Sequence, residues 1–176
     1  YFDHLGILSM GIANLAAWVG ITVTPMRILS SNDFNSGNII YTGIALGAFL
    51  IFIAWATNKK NVKKHFEFTY TNFGMHIALI SCLAAMFTFW ALYMIWFVLL
   101  MRMVYFFYTR AMLNKSFYFI LVIVLYAYIG ISFVVVDLLG RGDGLGNVYL
   151  GFFYFIISAI GLILFLIRVN KKMKTI

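Results

Sequence analysis

The chain has 176 residues, of which 64% are hydrophobic, 19% aromatic and 10% charged, with a mean hydropathy of +0.99; this excludes a soluble globular domain, which needs far more polar surface. Thirteen Lys and Arg oppose five Asp and Glu, a net charge of +8, and these charges cluster between long uncharged runs, as in a chain solvated by lipid. The basic residues lie in short inter-helix segments, where orientation in a bilayer accounts for them, so no nucleic-acid partner is expected.

Crossing the hydrocarbon layer takes about 20 apolar residues in a helix. The first such stretch predicts a helix over residues 4–23. A connection rich in turn formers follows, with Pro25, Ser30, Ser31, Asn32, Asp33, Asn35, Ser36, Gly37 and Asn38. The second helix is predicted over 39–57 and runs into the basic segment Lys59, Lys60, Lys63 and Lys64. From Phe68 to Met101 there is no Asp, Glu, Lys or Arg. One straight helix over that run would be on the order of 50 Å long, too long for one crossing. It is therefore divided into a third helix, 72–90, and a fourth, 94–111, joined by a tight turn near Ala91 to Tyr93 that no Gly or Pro marks. The fifth helix is predicted over 117–136. Gly140, Gly142, Asp143, Gly144, Gly146 and Asn147 then form a loop, and the sixth helix covers 148–167.

Charge placement tests this division separately from hydropathy. Lys59 to Lys64 follow the second helix, Arg102, Arg110 and Lys115 close the fourth, and Arg168, Lys171, Lys172 and Lys174 follow the sixth. With six spans all three basic groups fall on one side of the membrane, whereas five spans would scatter them over both sides. The opposite loops hold Arg27 against Asp33 and Arg141 against Asp143. The expected fold is thus all-α, a single polytopic bundle of six transmembrane helices with both termini cytoplasmic. The bias towards Phe, Tyr, Ile, Lys and Asn with a single Pro suggests a bacterial inner membrane, with an organellar membrane as the alternative. Tyr1 stands where an initiator Met would, with no basic region before the first apolar segment. A trimmed terminus without a signal peptide is expected.

Candidate functional residues are few. Arg102 falls near mid-span of the fourth helix, where an ionisable group needs a partner or a water-filled cavity. It could hold an anionic headgroup or substrate, or pair with Asn14 on the first helix. The competing reading, favoured here, is that the fourth helix enters later or is shorter, so that the guanidinium snorkels to the cytoplasmic headgroups. His76 is expected to be a hydrogen-bonding group in the bundle. A haem held by two imidazoles would need a second His at matching depth, but His65 lies in the basic connection and His4 at the same interface. No cofactor and no metal site are predicted.

Cys82 is the only cysteine, which rules out an intramolecular disulfide or a multi-cysteine metal cage. Its six-residue distance from His76 puts the two on different helix faces, so a thiolate–imidazole pair is not expected. No G-x-S-x-G, H-E-x-x-H, paired-carboxylate or P-loop pattern occurs, and the acids are Asp3, Asp33, Glu67, Asp137 and Asp143.

Gly43 and Gly47 form a G-x-x-x-G, and Ala13, Ala16, Ala17 and Gly20 give small-residue spacings in the first helix. Both are read as sites of close helix packing within the chain before any partner interface. The clusters Tyr105, Phe106, Phe107, Tyr108 and Phe152, Phe153, Tyr154, Phe155 are read as interfacial belt and core packing ahead of a quinone or lipid groove. Arg141-Gly142-Asp143 is treated as a loop. Lys59, Lys60, Lys63 and Lys64 could attract anionic lipid headgroups, although orientation alone suffices to explain them.

One stretch resembles a known group. Ile53-Ala54-Trp55-Ala56 ends a helix; His65-Phe66-Glu67-Phe68, Thr71-Asn72-Phe73, Ile95-Trp96-Phe97, Arg102-Met103-Val104 and Leu113-Asn114-Lys115 follow. This is similar to small uncharacterised bacterial membrane proteins, distantly likened to the Tic component of the plastid inner-envelope import machinery. It covers about residues 39–117. The resemblance implies topology more than activity and would put Arg102 toward the cytoplasmic end of its helix. Those proteins usually have three or four spans, so the fifth and sixth helices depart from the pattern. The expected function is a non-catalytic subunit or accessory factor of a larger membrane complex, with the bilayer and other membrane subunits as partners. A small oligomeric transporter or channel with Arg102 in its pathway is the alternative. A lipid- or quinone-handling enzyme would need chemistry supplied from outside the chain.

Overall fold

A computed structural model describes residues 4–23, 37–60, 63–142 and 145–175. The described residues form six α-helices and two short 3-10 turns, with no strand among them. The helices are α1 (Leu5–Val23), α2 (Gly37–Lys60), α3 (Glu67–Thr88), α4 (Tyr93–Leu113), α5 (Phe117–Gly140) and α6 (Leu145–Thr175). Five of them, α2 to α6, are long and apolar enough to cross a membrane, while the apolar run of α1 with described side chains, Leu5–Gly20, is shorter. The protein is an integral, all-α membrane protein.

Several helix ends differ from the sequence-based expectation, and each has a local cause. α2 extends to Lys60 with Lys59 and Lys60 in its last turn, where cations meet the negative end of the helix dipole. The chain then passes through Lys63, at φ 50°, and a 3-10 turn, Lys64–Phe66. α3 begins at Glu67 instead of residue 72. Glu67 places a carboxylate in the first turn, where the dipole favours it, and Asn58 donates to its Oε1 at 2.8 Å. α6 continues to Thr175, beyond the expected end at 167, because the stems of Lys and Arg suit a helix that leaves the hydrocarbon. The connection 24–36 and Asp143 lie outside the described residues.

The break between α3 and α4 comes at Phe89 (φ −97°, ψ 67°), followed by the 3-10 turn Trp90–Leu92. Tertiary packing holds it in place. The Phe89 ring lies 5.8 Å from Tyr41 and 6.0 Å from Trp96, and Tyr41 lies 6.0 Å from Trp96. These three rings, together with Gly37, gather the start of α2, the end of α3 and the start of α4.

By internal contacts the chain divides into two compact units, Tyr1–Leu100 and Met101–Ile176. In the first, α2 and α3 pack intimately and α1 lies against both. Their interface is built on small residues. A Cβ added at Gly47 would come within 2.8 Å of both Cβ and N of Ala78, and one at Gly74 within 3.0 Å of the Gly47 carbonyl oxygen. Backbones that approach this closely gain dispersion contacts that lipid cannot supply. Around them Leu50, Ala54, Met75, Leu79, Cys82 and Met86 are buried. The G-x-x-x-G of α2 therefore packs within the chain. On α1, Ala13 and Ala17 are exposed, Ala16 is half-buried, and a Cβ at Gly20 would meet nothing within 4 Å. Among the described side chains of α1 the buried one is Ile12.

In the second unit α5 and α6 form an antiparallel pair joined by two hydroxyl bridges, Tyr128 to Ser158 and Ser132 to Tyr154, each 3.1 Å. Hydrogen bonds of this kind in a membrane contribute on average roughly 0.6 kcal/mol. α4 ends in a Schellman arrangement: Ser116 N–H donates to Ala111 O at 3.1 Å and Lys115 N–H to Met112 O at 3.2 Å. Lys115 occupies the left-handed position at φ 50°, where Gly is usual.

Candidate functional site

A groove of about 720 Å³ lies within the second unit. α4 contributes Met101, Val104, Tyr105 and Tyr108, spaced i, i+3, i+4, i+7 along one helix face. α5 contributes Ile123, Ala127 and Ile131, four apart, and α6 contributes Tyr154, Ser158, Gly161 and Phe165, alternating four and three apart. A Cβ at Gly161 would meet nothing within 4 Å, so the missing side chain leaves open space in the α6 wall.

Three of the five hydroxyl-bearing side chains in the wall make hydrogen bonds between α5 and α6. Tyr128 bonds Ser158, whose Oγ also reaches Phe155 O at 3.2 Å, and Tyr154 bonds Ser132. Apart from the Tyr105 and Tyr108 hydroxyls, the remaining wall is hydrocarbon and aromatic ring, which suits an apolar occupant better than a polar substrate.

The two aromatic clusters separate by helical phase. Tyr105 and Tyr108 line the groove, Phe107 is buried and Phe106 is exposed; Tyr154 lines the groove while Phe152, Phe153 and Phe155 are exposed. Part of each cluster is thus groove wall, a role that composition alone does not distinguish from a belt.

Arg102 is exposed and is the tenth of the 21 residues of α4, roughly 15 Å of helix from either end. The helix is neither shorter nor later than expected, so snorkelling would have to carry the guanidinium across about three turns. Asn14 is exposed on α1 in the first unit, and His76 is half-buried on α3 in the same unit. Cys82 is fully buried. Among the described residues no group of three or more His, Cys, Asp or Glu is placed to share an ion.

The four lysines of the basic connection lie together between α2 and α3, all exposed. Lys59 Nζ sits 4.9 Å from the centroid of the Trp55 ring and Lys63 Nζ 5.5 Å from that of Phe66. These cation–π contacts hold the charges beside the aromatic rings without burying them.

Two polar features escaped sequence reading. Asp137 falls one residue past the predicted end of the fifth helix at 136; α5 continues to Gly140, and Arg141 Nη2 contacts Asp137 Oδ2 at 2.7 Å. The Asp137 side chain is 4% exposed and that of Arg141 59%. The i, i+4 spacing was the available signal. The second is Asn72, whose buried Oδ1 has no hydrogen-bond partner.

No family model, curated protein or solved structure matches the chain.

Proposed function

We propose that this chain is a non-catalytic integral subunit or accessory factor of a larger membrane protein complex, seated in a bacterial inner membrane with both termini cytoplasmic. The observation that carries the reading is α6. In its most apolar 18-residue window no residue is buried within the chain. Its buried side chains, Val169 and Met173, lie beyond that window near the basic end. A helix that spends so little of its surface on its own chain is suited to contact others, because association in lipid depends on packing and hydrogen bonds between helices. α1 adds a second exposed apolar surface, with Ile7 and Met10. The reading invokes no cofactor, and the distant likeness to Tic-type proteins agrees with it only at the level of a small membrane component.

Photo-crosslinking from Ile157, Ile160 and Leu164 in the native membrane tests it. Discrete adducts with other polypeptides are expected, and adducts with lipid alone would count against it. A second reading, a small oligomeric transporter or channel with Arg102 in its pathway, draws support from the mid-helix position of Arg102. Flux in liposomes that Arg102→Leu abolishes would favour that reading.

A further inference from the structure

We infer that the groove between α4, α5 and α6 is a lipid site, holding an acyl chain of an anionic phospholipid from the surrounding bilayer, with its phosphate at Arg168 and Lys172. The argument starts from the α6 stripe. Tyr154, Ser158, Gly161 and Phe165 line the groove. Continued at the same alternation of three and four residues, the stripe reaches Arg168 and then Lys172, so both cations share the helix face that forms the wall. Both are exposed. Lys115, exposed just past the end of α4, adds charge beyond Tyr108 at that end of the helix. An apolar trough whose walls continue into cations complements a hydrocarbon chain joined to a phosphate.

From Tyr154 to Phe165 the α6 wall rises roughly 16 Å, an elongated trough that suits an extended hydrocarbon chain. Of the wall hydroxyls, Tyr128 and Ser158 bond each other and Tyr154 bonds Ser132 behind the wall, and the rest of the lining apart from Tyr105 and Tyr108 is apolar, a surface that costs a hydrocarbon chain little to cover. The inference goes beyond the subunit reading and does not depend on it.

The test is native mass spectrometry of the full chain released from nanodiscs containing equal phosphatidylglycerol and phosphatidylcholine. The wild type is expected to retain phosphatidylglycerol in preference. Arg168→Gln and Lys172→Gln should each reduce that preference about fivefold, the effect of about 1 kcal/mol per basic residue near a charged surface, while hydrocarbon retention persists. Gly161→Trp should fill the groove and remove the retained lipid. Because the added Cβ meets nothing within 4 Å, that variant can be checked for wild-type helicity and melting. Retention of both lipids equally, retention of no lipid, or retention unchanged in a folded Gly161→Trp would overturn the inference. So would a neutral isoprenoid occupying the site in native membranes, or a partner polypeptide whose capture Gly161→Trp abolishes while lipid retention stays the same. Failure of the crosslinking experiment on α6 would leave these outcomes untouched.

Discussion

Gly47→Ala probes the α2–α3 interface with the smallest possible change. The new methyl would sit 2.8 Å from Ala78 Cβ and N and 3.0 Å from its Cα. Ordinary carbon contacts lie at about 3.5–4.0 Å. The helices must therefore part locally by roughly 0.7–1 Å, and a gap of that size forfeits a quarter to a half of each dispersion well along the seam. Overpacking of this kind costs about 1–3 kcal/mol, against which Ala gains up to about 1 kcal/mol of helix propensity over Gly. A net loss of about 1–2 kcal/mol is expected.

Two comparisons isolate the cause. Gly43→Ala meets only the side chain of Ser81, which can rotate away, so its cost should be smaller. Gly20→Ala meets nothing within 4 Å and should be neutral or stabilising. Cys82, buried in the same core and the only thiol, supplies the assay. Its labelling by a maleimide in mixed micelles of rising denaturing detergent reports opening of this interface. Gly47→Ala should label roughly 5–30 times faster than wild type, the factor that follows from 1–2 kcal/mol at about 1.4 kcal/mol per tenfold. Labelling at the wild-type rate, or an equal acceleration in Gly20→Ala, would refute the close-packing argument.

Other substitutions have expected signs and sizes. Arg141→Ala should destabilise by about 1–2 kcal/mol, between the value of a surface pair and that of a buried one, because it strands the buried Asp137 carboxylate. Asp137→Asn combined with it should recover most of the loss in a double-mutant cycle read by thermal melting. Lys115→Gly should raise stability by about 1 kcal/mol, since the left-handed conformation at φ 50° penalises a residue with a Cβ; a lowered melting temperature would show that the lysine side chain matters more than the backbone. Asn72→Leu replaces a side chain with an unbonded buried oxygen by an apolar one of similar size. In detergent it should be neutral or stabilising by about 1 kcal/mol, and a marked loss would mean that the amide has a partner in the folded protein.

How much of this was legible depended on which force set each feature. Helix number and type follow from hydropathy, and Gly142 lies just past the fifth helix, where the sequence placed a loop. The division of the uncharged run 68–101 was legible from length and charge placement, but its position was not. The break at Phe89 is held by the Tyr41–Phe89–Trp96 cluster, a contact between residues about 50 positions apart that leaves no Gly or Pro signal. Helix ends were read too short at Glu67, Gly140 and Thr175 because hydropathy marks the edge of hydrocarbon, whereas helices continue through capping charges and ion pairs. The groove was invisible for a different reason. Tyr105, Tyr154 and Phe165 follow the same spacing whether they face lipid or a cleft, and only the arrangement of three helices separates the two. The same ambiguity hid the bare face of α6, since a lipid face and a partner face share one composition.

Extraction from the native membrane in mild detergent, followed by native electrophoresis and mass spectrometry of every band that holds this chain, tests the proposed role most directly. The account predicts one reproducible complex several times larger than the 20.1 kDa chain, containing other polypeptides. A monodisperse species made of this chain alone would contradict it.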